Sequence, residues 1–334
     1  MLKIDVLAIG NAIVDISARM EEDFIVNNGI IKGAMSLIDA NRAEFLYSCI
    51  SLATETSAGS ATNTAIGIAN LGGKVAYLGK VADDHLGQVF THDLKEQGVI
   101  YKMRPLEGGP PTARSIIFVT PDGERSMNTY LGASMEFGPK DISITNVAKA
   151  KVVYFEGYLW DAPRAREAIL LATSIAHENG NEIAMTLSDS FCIDRYRDEF
   201  LHLIRSGIVD IIFANEAEIK SLYETASFET AVQAIRTDCR HIVCITRSEN
   251  GSVVIKCDET FTISAFPTEQ LIDTTGAGDL YAAGFLYGYT RGLPLVNAAR
   301  IGSFAGSLVI QQMGTRMISS LRHAAIQEGL FEDN

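Results

Sequence analysis

What this chain of 334 residues has little of narrows its class before any motif is read. No apolar run approaches the roughly 20 residues that a membrane-spanning helix needs. The opening MLKIDVLAIG is too short in its apolar stretch for a secretory leader. No membrane partner and a cytoplasmic location are therefore expected. Cysteine is sparse: Cys49, Cys192, Cys239, Cys244 and Cys257 are odd in number, scattered and without a CxxC pair, which fits a reduced cytosolic protein. Positive charge is in deficit, with 28 Lys and Arg against 41 Asp and Glu and a net charge of −13. A nucleic-acid partner is not expected, because phosphate backbones call for clustered Lys and Arg. With only 8 prolines and 47% hydrophobic residues, the chain is not largely disordered. Two phosphate-binding signatures are also missing. There is no GxxxxGK[ST] loop, and the first apolar run leads into GNAIVD in place of the GxGxxG of a dinucleotide-binding dehydrogenase.

What is present is enough apolar sequence for one large α/β domain or two smaller ones. Ile4 to Ile9 reads as a buried strand. Ala34 to Ile38 has strand character, and Asn41 to Leu52 is amphipathic. Thr64 to Leu71 reads as a helix stopped by Gly72-Gly73, Val75 to Val81 as a strand, and Asp83 to Gly98 as a second helix. His85 has no Cys or His at ligand spacing and is read as structural. Thr112 to Val119 and Arg125 to Tyr130, joined through Pro121-Asp122-Gly123, predict a hairpin. From Val152 to Ala214 strand and helix alternate regularly, the pattern of a parallel sheet with crossover helices. Val243 to Thr246 and Val253 to Lys256 add two strands, and Asn297 to Gln311 is the last long helix.

The chemistry concentrates in Asp273-Thr274-Thr275-Gly276-Ala277-Gly278-Asp279, a small-residue loop between the strand-like Phe261 to Phe266 and a helical pattern at Leu280, Ala283, Gly284 and Tyr287. Backbone N–H groups at a helix start lack partners within the helix and carry partial positive charge, so Gly276, Ala277 and Gly278 suit a phosphate. Asp279 in the first turn places a carboxylate beside that anion hole, where it suits the removal of a proton from an attacking hydroxyl. The plainer reading has Thr275 capping the helix and Asp279 complementing its dipole. Other positions also admit two readings. Asn11 and Asp15 are either turn and edge-strand residues or hydroxyl ligands at a strand's carboxyl end. Asn215 and Glu218 form the spacing of a capping box. Arg125 is either a solvated side chain beside a turn or a cation that swings onto the transferred phosphate.

The heptapeptide resembles the second signature of the PfkB (ribokinase-like) family of sugar and nucleoside kinases, and Ser57 to Asn63 followed by Leu71-Gly72 resembles its first. GNAIVDI and GERSMNTYLGA are most similar to the bacterial adenosine kinases of that family. The resemblance implies a three-layer α/β/α sandwich, with a mainly parallel sheet and a small β-sheet lid inserted from about 12–40 and 100–132, all in a single domain over 1–334. It implies transfer of the γ-phosphoryl of Mg·ATP to the 5′-hydroxyl of adenosine, with Asp279 as base and Gly276, Ala277 and Gly278 as anion hole. Asn11, Asp15, Gly59, Asn63 and Arg125 would meet the acceptor. Asn215, Glu218, Thr246 and Gly251 would meet the nucleotide, Glu218 holding Mg²⁺ through water. Asp273 and Thr275 are sites for a monovalent cation such as K⁺, and the chain is expected to be a monomer or a lid-mediated homodimer. A free sugar as acceptor, or a catalytically idle nucleoside-binding protein, are the alternatives. Two positions depart from the pattern: Ala58 and Ser248 stand where the family commonly carries glycine.

Overall fold

The computed structural model describes residues 3–239, 241–317 and 319–332. The strand Ile4–Ile9 shows why its sequence does not alternate. Leu7 and Ile9 enter one hydrophobic core while Val6 and Ala8 enter another on the opposite face. The same division separates Val153 and Phe155 from Val152 and Tyr154 in Ala150–Glu156. A sheet buried on both faces leaves no place for a polar stripe.

The nine strands of this sheet run in the order Glu259–Ile263, Ser252–Lys256, Ile242–Thr246, Ile211–Asn215, Glu182–Thr186, Ala150–Glu156, Ile4–Ile9, Val75–Leu78, Ile100–Tyr101. All neighbours from Ile242–Thr246 to Ile100–Tyr101 are parallel, and the two strands at the other edge are antiparallel. Helices Pro163–Glu178, Ser190–Arg205, Glu216–Leu222 and Phe228–Asp238 supply side chains to one core. Helices Ser60–Asn70, His85–Glu96, Ala277–Thr290 and Leu295–Val309 supply the other. The result is the parallel sheet with crossover helices that the strand–helix alternation predicts, in the three-layer, mainly parallel sandwich that the resemblance implies.

A second, five-stranded mixed sheet has the order Met35–Leu37, Arg125–Tyr130, Ala113–Val119, Ile13–Arg19, Thr54–Ala58. The hairpin of 113–119 and 125–130 forms as its Asp-Gly turn predicts, and Thr54–Ala58 joins this sheet from beyond 12–40 and 100–132. One face buries Val14, Ile16, Ile116 and Phe118 with Ile25 and Leu46 of the helices Glu22–Asn27 and Ala40–Ser48. Strand register puts Leu37, Thr129, Ser115 and Asp15 in one row across the opposite face.

Three boundaries differ in ways that matter. The first small-residue helix begins at Ser60 instead of Thr64, because Gly59 already supplies the break, and this moves Asn63 into the first turn. Asp15 is not at a strand's carboxyl end. It lies inside Ile13–Arg19, since the chain leaves the large sheet at Gly10 and enters the small one within three residues. The strand expected at Phe261 to Phe266 is Glu259–Ile263, and the tail after Arg316 contains the helix Leu321–Gln327.

Candidate active site

At the end of strand Ile4–Ile9 the chain turns through Gly10 to Asn11. The backbone N–H and side-chain Nδ2 of Asn11 both donate to Glu156 Oε1, each at 2.9 Å. Glu156 ends the neighbouring parallel strand and is only 1% exposed. Its Oε2 accepts from Ala61 N at 2.8 Å. Burial pushes its carboxyl up to about 7, opposed by the donors from Asn11 and Ala61 and reinforced by the charge of Asp279. Sequence reasoning missed Glu156. The one available signal was an acid closing the otherwise apolar run VVYFE, since a charge in such a run is costly unless hydrogen-bonded.

Gly59 has φ 111°, and a Cβ there would lie 2.3 Å from the carbonyl oxygen of Asn11, so both backbone conformation and space demand glycine. The helix that follows presents Ser60 and Asn63 to a single carboxylate. Ser60 Oγ donates to Asp279 Oδ1 at 2.6 Å, and Asn63 Nδ2 donates to Asp279 Oδ2 at 2.9 Å. Thr64 Oγ1 donates to the Asp279 carbonyl at 3.2 Å. Asp279 lies in the first turn of Ala277–Thr290, whose N-cap is Gly276 in the left-handed region at φ 81°. Thr275 does not cap this helix. Its hydroxyl donates instead to Asp273 Oδ1 at 2.6 Å. Burial pushes the Asp279 carboxyl up to about 6, while the donors Ser60 and Asn63 and the charge of Arg316 restrain the rise.

On the small sheet, burial likewise pushes Asp15 up to about 6 against the pull of Arg125 and Arg316. Arg125 reaches from the small sheet to the small-residue loop, where its Nη1 pairs with Asp273 Oδ2 and donates to Thr275 Oγ1 at 3.2 Å. Asp273 also accepts from Thr275 N and Gly314 N, each at 2.9 Å. Burial works against its charge, yet these donors and the Arg125 guanidinium hold its carboxyl below the ordinary value. The two residues expected to meet a monovalent cation are thus occupied by a cation of the chain itself.

At the residues expected to meet the nucleotide, the capping box is realised. Glu218 N donates to Asn215 Oδ1 at 2.8 Å, and Asn215 N and Nδ2 donate to Glu218 Oε2 and Oε1 at 3.0 and 2.6 Å. Glu218 is buried, which pushes its carboxyl up to about 7; the Asn215 N–H opposes the rise, and the charges of Asp189 and Asp279 add to it. Thr246 ends its strand, and Gly251 follows a short turn in which Ser248 holds φ 49°. The turn after the last long helix, Met313-Gly314-Thr315-Arg316, which resembles the family turn closing the nucleotide site, also reaches Asn63. Thr315 Oγ1 and Arg316 Nη1 donate to Asn63 Oδ1 at 3.0 and 3.2 Å. The Ala277 N–H donates to the Thr274 carbonyl at 3.2 Å. A carboxylate at a helix start, held by one hydroxyl and one amide, can take a hydroxyl proton while the remaining N–H groups of the helix start hold an anion. Among the described residues no group of three His, Cys, Asp or Glu could hold a metal ion by itself, and no helix is long and apolar enough to cross a membrane.

The model of the pfkB family of carbohydrate kinases matches residues 51–321. A solved probable sugar kinase protein from Rhizobium etli CFN 42 is 58% identical, covers 99% of this chain and 100% of its own, and has a TM-score of 0.92. A solved adenosine kinase from Sinorhizobium meliloti is also 58% identical, over 98% and 100% of the two chains, with a TM-score of 0.90. Among curated relatives, a 5-dehydro-2-deoxygluconokinase from Geobacillus thermodenitrificans is 29% identical over 77% of this chain and 79% of its own length.

Proposed function

The chain belongs to the pfkB family of carbohydrate kinases and is a phosphotransferase, and from that premise we propose that it transfers the γ-phosphoryl of ATP to the 5′-hydroxyl of adenosine. The observation that carries this reading is the charge of the acceptor cleft. Asp15 and Asp279 both feel the charge of Arg316, while that cation and Arg125 are already engaged by Asn63, Ser57 and Asp273. An acceptor bearing a carboxylate, as a gluconate-type sugar does, would meet Asp15 and Asp279 and no spare guanidinium. A neutral polyhydroxyl acceptor fits.

Asp15 shares its face of the small sheet with Met35 and Leu37, which are 48% and 59% exposed. Apolar surface next to hydroxyl ligands suits a nucleoside, whose base would be covered by the sheet. With the Asn11 Nδ2 given to Glu156, its Oδ1 is the atom that accepts from an acceptor hydroxyl. Asp279 takes the proton of the attacking hydroxyl, and the N–H groups of Gly276 and Gly278 face the transferred oxygens, that of Ala277 being given to the Thr274 carbonyl.

Mg²⁺, when bound with the nucleotide, supplies positive charge to the phosphate oxygens. Asn215 and Glu218 would hold it through water, because both Glu218 oxygens already accept from Asn215. Thr246 and Gly251 would line the nucleotide. A monovalent cation does not fit at Asp273 and Thr275 while Arg125 occupies them. The test is initial rates of ADP formation from Mg·ATP with adenosine, ribose, fructose and 5-dehydro-2-deoxygluconate. Preference for adenosine supports the reading; preference for a free sugar or the acid overturns the acceptor, and no turnover with any acceptor overturns the activity.

A further inference from the structure

Asn63 is pulled from two sides. Its Nδ2 donates to Asp279, and its Oδ1 accepts from Thr315 and Arg316, so the orientation of its amide is decided by the turn that follows the last long helix. Arg316 is itself fixed. Its Nη2 donates to the Ser57 carbonyl and to Ser57 Oγ, the latter at 2.8 Å, and Asp93 lies 3.8 Å away. Ser57 N and Oγ in turn donate to Asp93, which anchors the assembly in helix His85–Glu96. A guanidinium held this way cannot relax toward solvent when the acceptor enters or leaves.

We propose that Arg316 is a positioning residue of the acceptor site, which orients the Asn63 amide toward Asp279 and provides a fixed positive charge acting on both Asp279 and Asp15. The proposal rests on the reading of Asp279 as base and Asn63 as acceptor ligand. Without the Arg316 donor, the Asn63 amide has less reason to keep its oxygen turned away from Asp279. A flipped amide would set oxygen against carboxylate and withdraw the donor. Without the charge, two acids facing one cleft would ionise less readily.

Other groups act on the same carboxylate. Glu156 and Tyr154 face it from strand Ala150–Glu156, Tyr158 from the turn beyond that strand, and Glu218 from the start of Glu216–Leu222. All of these carry negative charge or none. Arg316 is the cation among the described residues whose charge bears on both Asp279 and Asp15; Arg125 bears on Asp15.

The experiment compares the wild type with Arg316→Gln, Arg316→Lys and Asp279→Asn in the full chain. It measures KM for adenosine and for ATP, kcat, and the acid limb of kcat/KM against pH. Arg316→Gln is expected to raise the adenosine KM about tenfold, the loss of one hydrogen bond from a charged donor, with the ATP KM unchanged. Its acid limb moves upward by about half a pH unit or more. Arg316→Lys restores the limb, since it keeps the charge, but not the adenosine KM. A limb that stays in place, with adenosine and ATP parameters falling together, overturns the proposal and leaves Arg316 only packing the C-terminal segment. If Arg316→Gln does not fold, Arg316→Lys decides: an unchanged adenosine KM overturns the proposal. An Asp279→Asn enzyme as active as wild type defeats the underlying reading, whereas an inactive one beside unaffected Arg316 variants defeats this proposal alone.

Discussion

Glu156 Oε1 accepts two hydrogen bonds from one residue, the backbone N–H and the side-chain amide of Asn11, both at 2.9 Å. The pair joins two adjacent strands of the large sheet at their carboxyl ends and fixes which atom of Asn11 faces the cleft. Glu156→Gln can keep an oxygen on only one side, so its NH₂ must face a donor of Asn11 or Ala61. A buried donor without an acceptor costs about 1–3 kcal/mol. Chemical denaturation above pH 7 should show a loss of that size, and the acceptor KM should rise while the ATP KM stays constant.

Stability and activity should respond to pH in opposite directions. Asp15 and Asp279 are pushed up to about 6, and Glu156 and Glu218 to about 7. Each binds its proton more tightly folded than unfolded. Their contribution to stability is therefore fully present below the ordinary carboxylate range and is lost as pH rises through 6 to 7. The melting temperature of the ligand-free protein should fall between pH 5 and 7.5, over the same interval in which ionisation of Asp279 raises kcat/KM. A melting temperature that rises across this window would contradict the burial of these four acids.

Asp279→Asn keeps an acceptor for Ser60 but has no base. With acceptor and ATP saturating, kcat should fall by ~10²–10⁴-fold, while equilibrium binding of ATP stays near the wild-type value. Retention of kcat within a few-fold would remove Asp279 from the chemistry.

Arg125→Ala removes the guanidinium from Asp273, a carboxylate that keeps three other hydrogen bonds, from Thr275 N, Thr275 Oγ1 and Gly314 N. The expected loss of stability is about 1–3 kcal/mol, read by thermal or urea unfolding. The wild-type rate should be indifferent to replacing NaCl with KCl. The variant, with Asp273 and Thr275 uncovered, should become sensitive to K⁺. Equal K⁺ responses in the two proteins would show that Arg125 does not stand in for a bound cation.

Ser248 holds φ 49°, a left-handed conformation that costs a residue with a Cβ roughly 1–2 kcal/mol. Glycine relieves that strain but loses more freedom on folding. Ser248→Gly should therefore stabilise the protein by at most about 1 kcal/mol in urea unfolding, and a destabilised variant would place the Ser248 side chain in a contact of its own.

The sequence by itself determined the alternation of strand and helix in this protein and the place where its small-residue loop opens a helix. Unbroken apolar runs such as 6–9 and 152–155 fit burial on both faces, which requires helices above and below. The heptapeptide from Asp273 to Asp279 announces a helix start with a carboxylate in its first turn, because glycine at that place and aspartate three residues on have few other uses together. Element types were legible because they depend on near neighbours. The start of the Ser60–Asn70 helix was misplaced, since small residues carry little periodicity and the break comes from the φ of Gly59, forced by the approach of Asn11.

Only the tertiary structure decided the partnerships. Glu156 with Asn11, Asn63 between Asp279 and Arg316, and Arg125 on Asp273 join residues 145, 216, 253 and 148 positions apart. No local pattern encodes such pairs. The same type of residue, an arginine beside a turn or an acid ending a strand, is solvated in one fold and buried in another. Burial, and with it the raised proton affinity of the four acids, is a property of what packs against a side chain from distant parts of the chain.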